Sequence, residues 1–184
     1  MTLPVTGSQT VGPFFRIGMA PLFREDLASE GVAGERITIH GRVLDGDGKA
    51  IPDATIEIWQ ADAHGKHTDG KEENVNFTGF GRVPTDERGE FRFTTIKPGV
   101  VRGPGSSAQA PHLVVTLFMR GLLRHLWARI YFEDEPGNEH DAILQLVPAE
   151  RRHTLIAKRD GAGGAAFEWN IHMQGENETV FFEV

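Results

Sequence analysis

The amino-acid sequence predicts an all-β protein, an antiparallel β-sandwich with an irregular N-terminal arm and short helical turns. Three observations point there. Apolar and polar side chains alternate over many short stretches, the stretches are separated by Gly, Asp and Pro turn formers, and no long segment carries the period of a helix. The chain has 184 residues, about one ordinary domain, with 22 Gly and 10 Pro to supply its turns.

Ile37, Ile39 and Val43 share one side of a first strand, and Asp45-Gly46-Asp47-Gly48 turns it into a hairpin. Ala54, Ile56 and Ile58 alternate with Thr55, Glu57 and Trp59 as a second, half-buried strand that stops at Gln60-Ala61-Asp62. Residues 64–76 hold too few apolar side chains for a core element and read as a long surface loop. Phe91, Phe93 and Thr95 form the next alternating run, between the turns Asp86-Glu87-Arg88-Gly89 and Lys97-Pro98-Gly99. Leu113, Val115 and Leu117 mark a strand whose second face is also mostly apolar, the pattern of a central position, and residues 126–132 continue it. Residues 167–173 and 179–182 flank Gly175-Glu176-Asn177-Glu178 as a last hairpin. Only residues 21–30 and 149–155 read as short helices, the second opened by Pro148.

Composition narrows the function. A formal charge of −7 argues against a general binder of nucleic acid or anionic membrane, either of which needs a basic surface. The absence of cysteine removes disulfides, thiolate catalysis and thiolate-held zinc, so any metal must be held by His, Asp, Glu or Tyr. The start of the chain lacks the apolar run of a signal peptide and no stretch is long and apolar enough for a membrane helix, so the cytoplasm is the expected location. Residues 1–35, rich in aromatics and turn formers but without periodicity, read as an arm packing on a partner subunit, and residues 36–184 as the sandwich domain.

An ordered set of strings then suggests a family. Ile56-Glu57-Ile58-Trp59-Gln60-Ala61-Asp62, Gly79-Phe80-Gly81-Arg82, Phe91-Arg92-Phe93-Thr94-Thr95-Ile96-Lys97-Pro98-Gly99, Ala110-Pro111-His112, Arg129-Ile130-Tyr131-Phe132-Glu133-Asp134 and Thr154-Leu155-Ile156-Ala157-Lys158-Arg159 occur in this order, ahead of the ending Gln174-Gly175-Glu176-Asn177-Glu178-Thr179-Val180-Phe181-Phe182. Over nearly its whole length the chain resembles the intradiol aromatic ring-cleaving dioxygenases, and among them the α-type subunits. The resemblance implies a homologous β subunit, a higher oligomer of α–β pairs, protocatechuate and O2 as substrates, and 3-carboxy-cis,cis-muconate as product.

Catalytic members of that family hold Fe(III) with two tyrosinates and two histidines, hard ligands suited to a ferric ion. On the matching strand, Pro111-His112-Leu113-Val114, an aliphatic residue stands at the second histidine position. Tyr131 is the one tyrosine of the chain, and the loops expected to carry the tyrosinates read Lys66-His67-Thr68-Asp69-Gly70 and Val100-Val101-Arg102. The resemblance therefore implies that Fe(III) is bound by the partner β subunit rather than by this chain, with no catalytic residue and no metal ligand here. Two alternatives stay open: a self-sufficient metal oxygenase with nonstandard ligands drawn from His112, His67, His64 and Asp69, and a non-catalytic β-sandwich binding protein.

What the resemblance assigns to this chain is the wall of the partner's substrate pocket. Thr10 offers a hydroxyl, Gly12 lets the backbone come close to an aromatic acid, and Pro13 stiffens the turn between them and Phe14. Arg129 is the candidate for the substrate carboxylate, in competition with Arg120, Arg124 and Arg102. His40, His125, His140, His153 and His172 show no ligand spacing.

Overall fold

The computed structural model describes residues 5–68, 76–103, 107–161 and 164–183. Its strands are β1 (Arg36–Leu44), β2 (Thr55–Gln60), β3 (Phe80–Pro84), β4 (Glu90–Ile96), β5 (Val101–Arg102), β6 (Ala108–Gln109), β7 (His112–Phe118), β8 (Leu126–Phe132), β9 (Ile156–Arg159), β10 (Ala166–Glu168) and β11 (Ile171–His172), after one helix, α1 (Pro13–Met19). The alternation read from the sequence is the alternation observed. Ile37, Ile39 and Val43 of β1, Ile56 and Ile58 of β2, Phe91 and Phe93 of β4, and Leu113, Val115 and Leu117 of β7 all enter one continuous core.

The strands form a nearly closed, sandwich-like sheet. One layer runs β3-β2-β7-β8 with antiparallel neighbours, and the other holds β4, β1 and the β10/β11 pair. β9 joins the layers on one side, because Ile156 and Ala157 pair with β8 while Lys158 and Arg159 pair with β10. Most pairings are antiparallel as expected, but β1 with β10, β1 with β11, and β8 with β9 run parallel.

On the other side the edge strands β3 and β4 do not bond to each other. Residues 24–27 fill the gap: Arg24 exchanges backbone hydrogen bonds with Arg82 of β3, Leu27 donates to Thr94 of β4, and Thr94 donates to Glu25. The helix expected over residues 21–30 is therefore absent. After a single 3-10 turn at Ala20–Leu22 the chain extends, because the unpaired edges of two strands offer its backbone more partners than a lone helical turn could.

Three other differences have local causes. The turn after β1 forms, with Gly48 donating to Asp45, yet only Leu44 pairs back, with Ala50, and the chain crosses to the other layer instead of making a hairpin. Residues 167–173 split into β10 and β11 at Trp169, whose N–H bonds to His40, while Asn170 takes the Arg42 N–H on its side chain. Residues 179–182 contribute a single bridge, Phe182 to Trp127, rather than a strand. The 3-10 helix Ala149–Leu155 behind Pro148 is where the sequence placed it.

Three turns share one chemistry. Asp45, Asp62 and Asp86 each accept, on Oδ1, the backbone N–H groups two and four residues ahead at 2.8–2.9 Å, and a glycine at the third following position adopts positive φ. The Asp62 turn is the one that aims the segment toward the site below. Residues 69–75 of the long loop, including Asp69, lie outside the described residues.

Candidate functional site

The outward face of the β7–β8 ladder gathers the residues of interest. His112 pairs with Tyr131, Val114 with Arg129 and Thr116 with Trp127 in register, so alternate residues of both strands stand on the same face. β2 continues it with Trp59 beside Val114. Both loops expected to hold tyrosinates reach the same end of the sheet. Gly99 donates to the Asp62 carbonyl, and a Cβ on Gly65 would strike the Val100 carbonyl oxygen, so the loops touch. His67 then lies flat on the Trp59 ring, centroids 4.2 Å apart, with its Nδ1 buried and unpartnered among the described residues.

His112 is buried, and its Nδ1 is 2.7 Å from the Ala110 carbonyl, which makes Nδ1 the protonated nitrogen. Burial first, then the neighbouring Arg129 charge, holds its pKa down at about 4, so the ring is neutral near pH 7. The sign of the pH effect follows. Between about 6.5 and 4 the unfolded chain takes up a proton that the folded chain refuses, and stability falls as pH falls, by about 3 kcal/mol across that window. Replacing His112 by Asn is expected to remove that share of the acid sensitivity, read as a smaller difference between urea unfolding at pH 7 and at pH 4.5. An unchanged difference would place the titrating group elsewhere.

Tyr131 is fully buried and its hydroxyl donates to Asp141 Oδ1 at 3.0 Å. Burial pushes the phenol's pKa upward, beyond its ordinary range, so it is a neutral donor. Asp141 also collects the backbone N–H groups of Ala110, Ile143 and Leu144. Arg129 Nη1 donates to Gln109 Oε1 at 2.8 Å and to the Tyr131 oxygen at 3.3 Å.

This donor set does not fit ferric iron. Val114 has no donor atom, the phenol spends its proton on Asp141, and a guanidinium stands across from Val114, where a cation would be repelled. Among the described residues no three His, Cys, Asp or Glu side chains converge as a metal site.

Thr10, Gly12 and Pro13 sit at the opposite end of β7. The Thr10 hydroxyl accepts the Gly121 N–H at 2.8 Å, just past Phe118. Gly12 precedes α1 in extended conformation with open space where a side chain would be, and Pro13 is the first helical residue. Arg129 stands opposite Val114, and Phe118 at the far end of β7 is roughly 13 Å along the strand from that position, by four residues at 3.3 Å each. What the sequence read as a turn is thus the entry to a helix. It is tied down by Phe15 against Phe118 and by Arg16, whose guanidinium donates to the carbonyls of Pro52 and Thr85.

The competing arginines lie elsewhere: Arg120 pairs with Asp53 at 2.8 Å, Arg124 borders a small cleft with Gln9 and Val11, and Arg102 is exposed on β5. His40 pairs with Asp160, and His125 lies between Phe118 and Trp127. A groove of about 1040 Å³ lies over β1 and β4 among compensated charges such as Arg42 with Glu90, and His112 is not part of its lining. Asp141 and Gln109 were not singled out in the sequence. An Asp three residues before Leu144 and followed by apolar side chains is a turn signature, but its link to Tyr131 exists only in three dimensions.

Comparison with known proteins shows the family of the chain. The dioxygenase family model matches residues 12–175. The protocatechuate 3,4-dioxygenase alpha chain of Burkholderia cepacia is 42% identical, covering 100% of this chain and 99% of that one. The beta chain from the same organism is 31% identical over 96% of this chain and 78% of its own length. Among solved structures, hydroxyquinol 1,2-dioxygenase from Pseudomonas putida DLL-E4 superposes with a TM-score of 0.67 at 21% identity, over 94% of this chain and 67% of that one, and shares the fold. No described helix is long and apolar enough to cross a membrane. With a sheet of the intradiol type, its site strands in register and a family match over most of its length, the chain belongs to the intradiol dioxygenase family.

Proposed function

We propose that this chain is the α subunit of a protocatechuate 3,4-dioxygenase, working in a higher oligomer of α–β pairs in the cytoplasm. The homologous β subunit carries the Fe(III), and the pair converts protocatechuate and O2 to 3-carboxy-cis,cis-muconate. The observation that carries this reading is the donor set at β7: an aliphatic Val114, a phenol committed to Asp141 and a fixed guanidinium, within a chain similar over its full length to an alpha chain. Ferric iron in the partner supplies the oxygen chemistry of ring opening, and no residue of this chain makes or breaks a substrate bond.

This chain's share is orientation and the exclusion of water. Thr10, Gly12 and Pro13 approach the partner's pocket from the arm, and Arg129 faces the substrate carboxylate from the sheet. Two carboxylate oxygens match the planar fork of a guanidinium, and that charge offsets the net −7 of the chain locally.

Coexpression with the β chain tests the reading. Iron and activity are expected only in the complex, and a lone chain that binds iron and opens the ring would favour the self-sufficient oxygenase instead. In the complex, Arg129→Ala is expected to raise KM for protocatechuate roughly tenfold and leave KM for catechol, which has no carboxylate, nearly unchanged. Equal effects on both substrates would remove Arg129 from the pocket.

A further inference from the structure

The Arg129 guanidinium is held from behind by a relay that buries its anchor. Asp141 is fully buried and its two oxygens accept four hydrogen bonds, three from backbone N–H groups and one from Tyr131. The Tyr131 proton is therefore committed, and its oxygen has only lone pairs to offer Arg129. Gln109 completes the seat from β6. Every hydrogen bond from Arg129 to a described residue uses Nη1, which leaves the edge formed by Nε and Nη2 for an anion.

We propose that Tyr131 and Asp141 are positioning residues that fix Arg129 by its Nη1 corner, so that the Nε and Nη2 edge meets the substrate carboxylate side-on. This rests on the reading that Arg129 faces the substrate and adds how the group is aimed. An arginine held by one flexible amide could swing about several bonds. A phenol on the same strand, two residues away and locked by a buried carboxylate, removes that freedom before substrate arrives.

The test uses the coexpressed complex with Tyr131→Phe, Arg129→Ala and the double variant. Tyr131→Phe keeps the ring in the core and removes only the hydroxyl. It is expected to raise KM for protocatechuate roughly fivefold, the size of one ordinary hydrogen bond and less than the effect of removing Arg129 itself, with kcat and the KM for catechol within about twofold of wild type. The double variant should match Arg129→Ala alone, because Tyr131 acts through the guanidinium. A crystal structure of the Tyr131→Phe complex should show Arg129 displaced from Gln109.

A guanidinium that keeps its place there overturns the inference whatever Arg129→Ala does, as does a Tyr131→Phe effect shared equally by both substrates. Loss of protocatechuate selectivity in Arg129→Ala without any in Tyr131→Phe also sinks the inference while leaving the proposed role of Arg129 intact. If Arg129→Ala itself spares selectivity, that role fails, and the substrate half of the inference with it.

Discussion

Replacing Leu27 by Ala is expected to cost about 3–4 kcal/mol of stability, within the range for a fully buried leucine and a large share of what an ordinary domain possesses. The size of the effect comes from where the residue sits. Leu27 lies in the segment that joins the free edges of β3 and β4, and Gly81 on β3 makes room for it: a Cβ there would stand 2.6 Å from Leu27 Cδ1. Truncation leaves a cavity at a seam held by few backbone bonds, so the seam has little with which to close around it. Leu22, five residues earlier and more than half exposed, serves as the control, and its replacement by Ala should change stability by no more than about 0.5 kcal/mol. Urea unfolding of both variants decides the matter. A Leu27→Ala protein within about 1 kcal/mol of wild type would mean that residues 24–27 decorate the sheet rather than complete it.

The same segment shows where sequence reading reaches its limit. β1, β2 and β4 were legible because each turns alternate residues into the core, so period-two alternation records their structure locally, while β7 and β8 were legible as apolar runs whose second face is also largely covered. Residues 24–27 carry no such record, since they are extended only because two distant edges are left unpaired. β3 and β9 were hidden for related reasons: β3 is short and begins with Phe80 and Gly81, and β9 changes partners midway. At the site, the solitary Tyr131 could be read from residue identity, and an aliphatic Val114 at the second histidine position from the resemblance to the family. That Arg129 faces Val114, that Tyr131 leans on Asp141, and that His67 stacks on Trp59 are consequences of register and loop placement, which residue identity does not encode.

The arm makes the second large prediction. α1 has seven residues and buries none of them, and a helix that short does not persist on its own propensity. Phe15 and Arg16 hold one side to this chain, while Phe14 and Ile17 stand 86% and 65% exposed on the rest. Apolar side chains on a docked but otherwise unsupported helix are what a partner surface would cover, and the homologous β subunit is the occupant proposed above. Replacing both Phe14 and Ile17 by Asp is expected to weaken α–β association by roughly a thousandfold or more. Each lost side chain removes about 1.5–3 kcal/mol of burial, and each new carboxylate must shed its water. Because neither residue enters the core, the variant chain without its partner should unfold at the same urea concentration as the wild-type chain without its partner, which separates lost assembly from lost folding. Size-exclusion chromatography of the coexpressed chains reads the outcome directly. A variant that still elutes as an intact, active complex would show that the arm faces solvent, and the pocket role of Thr10, Gly12 and Pro13 would fall with it.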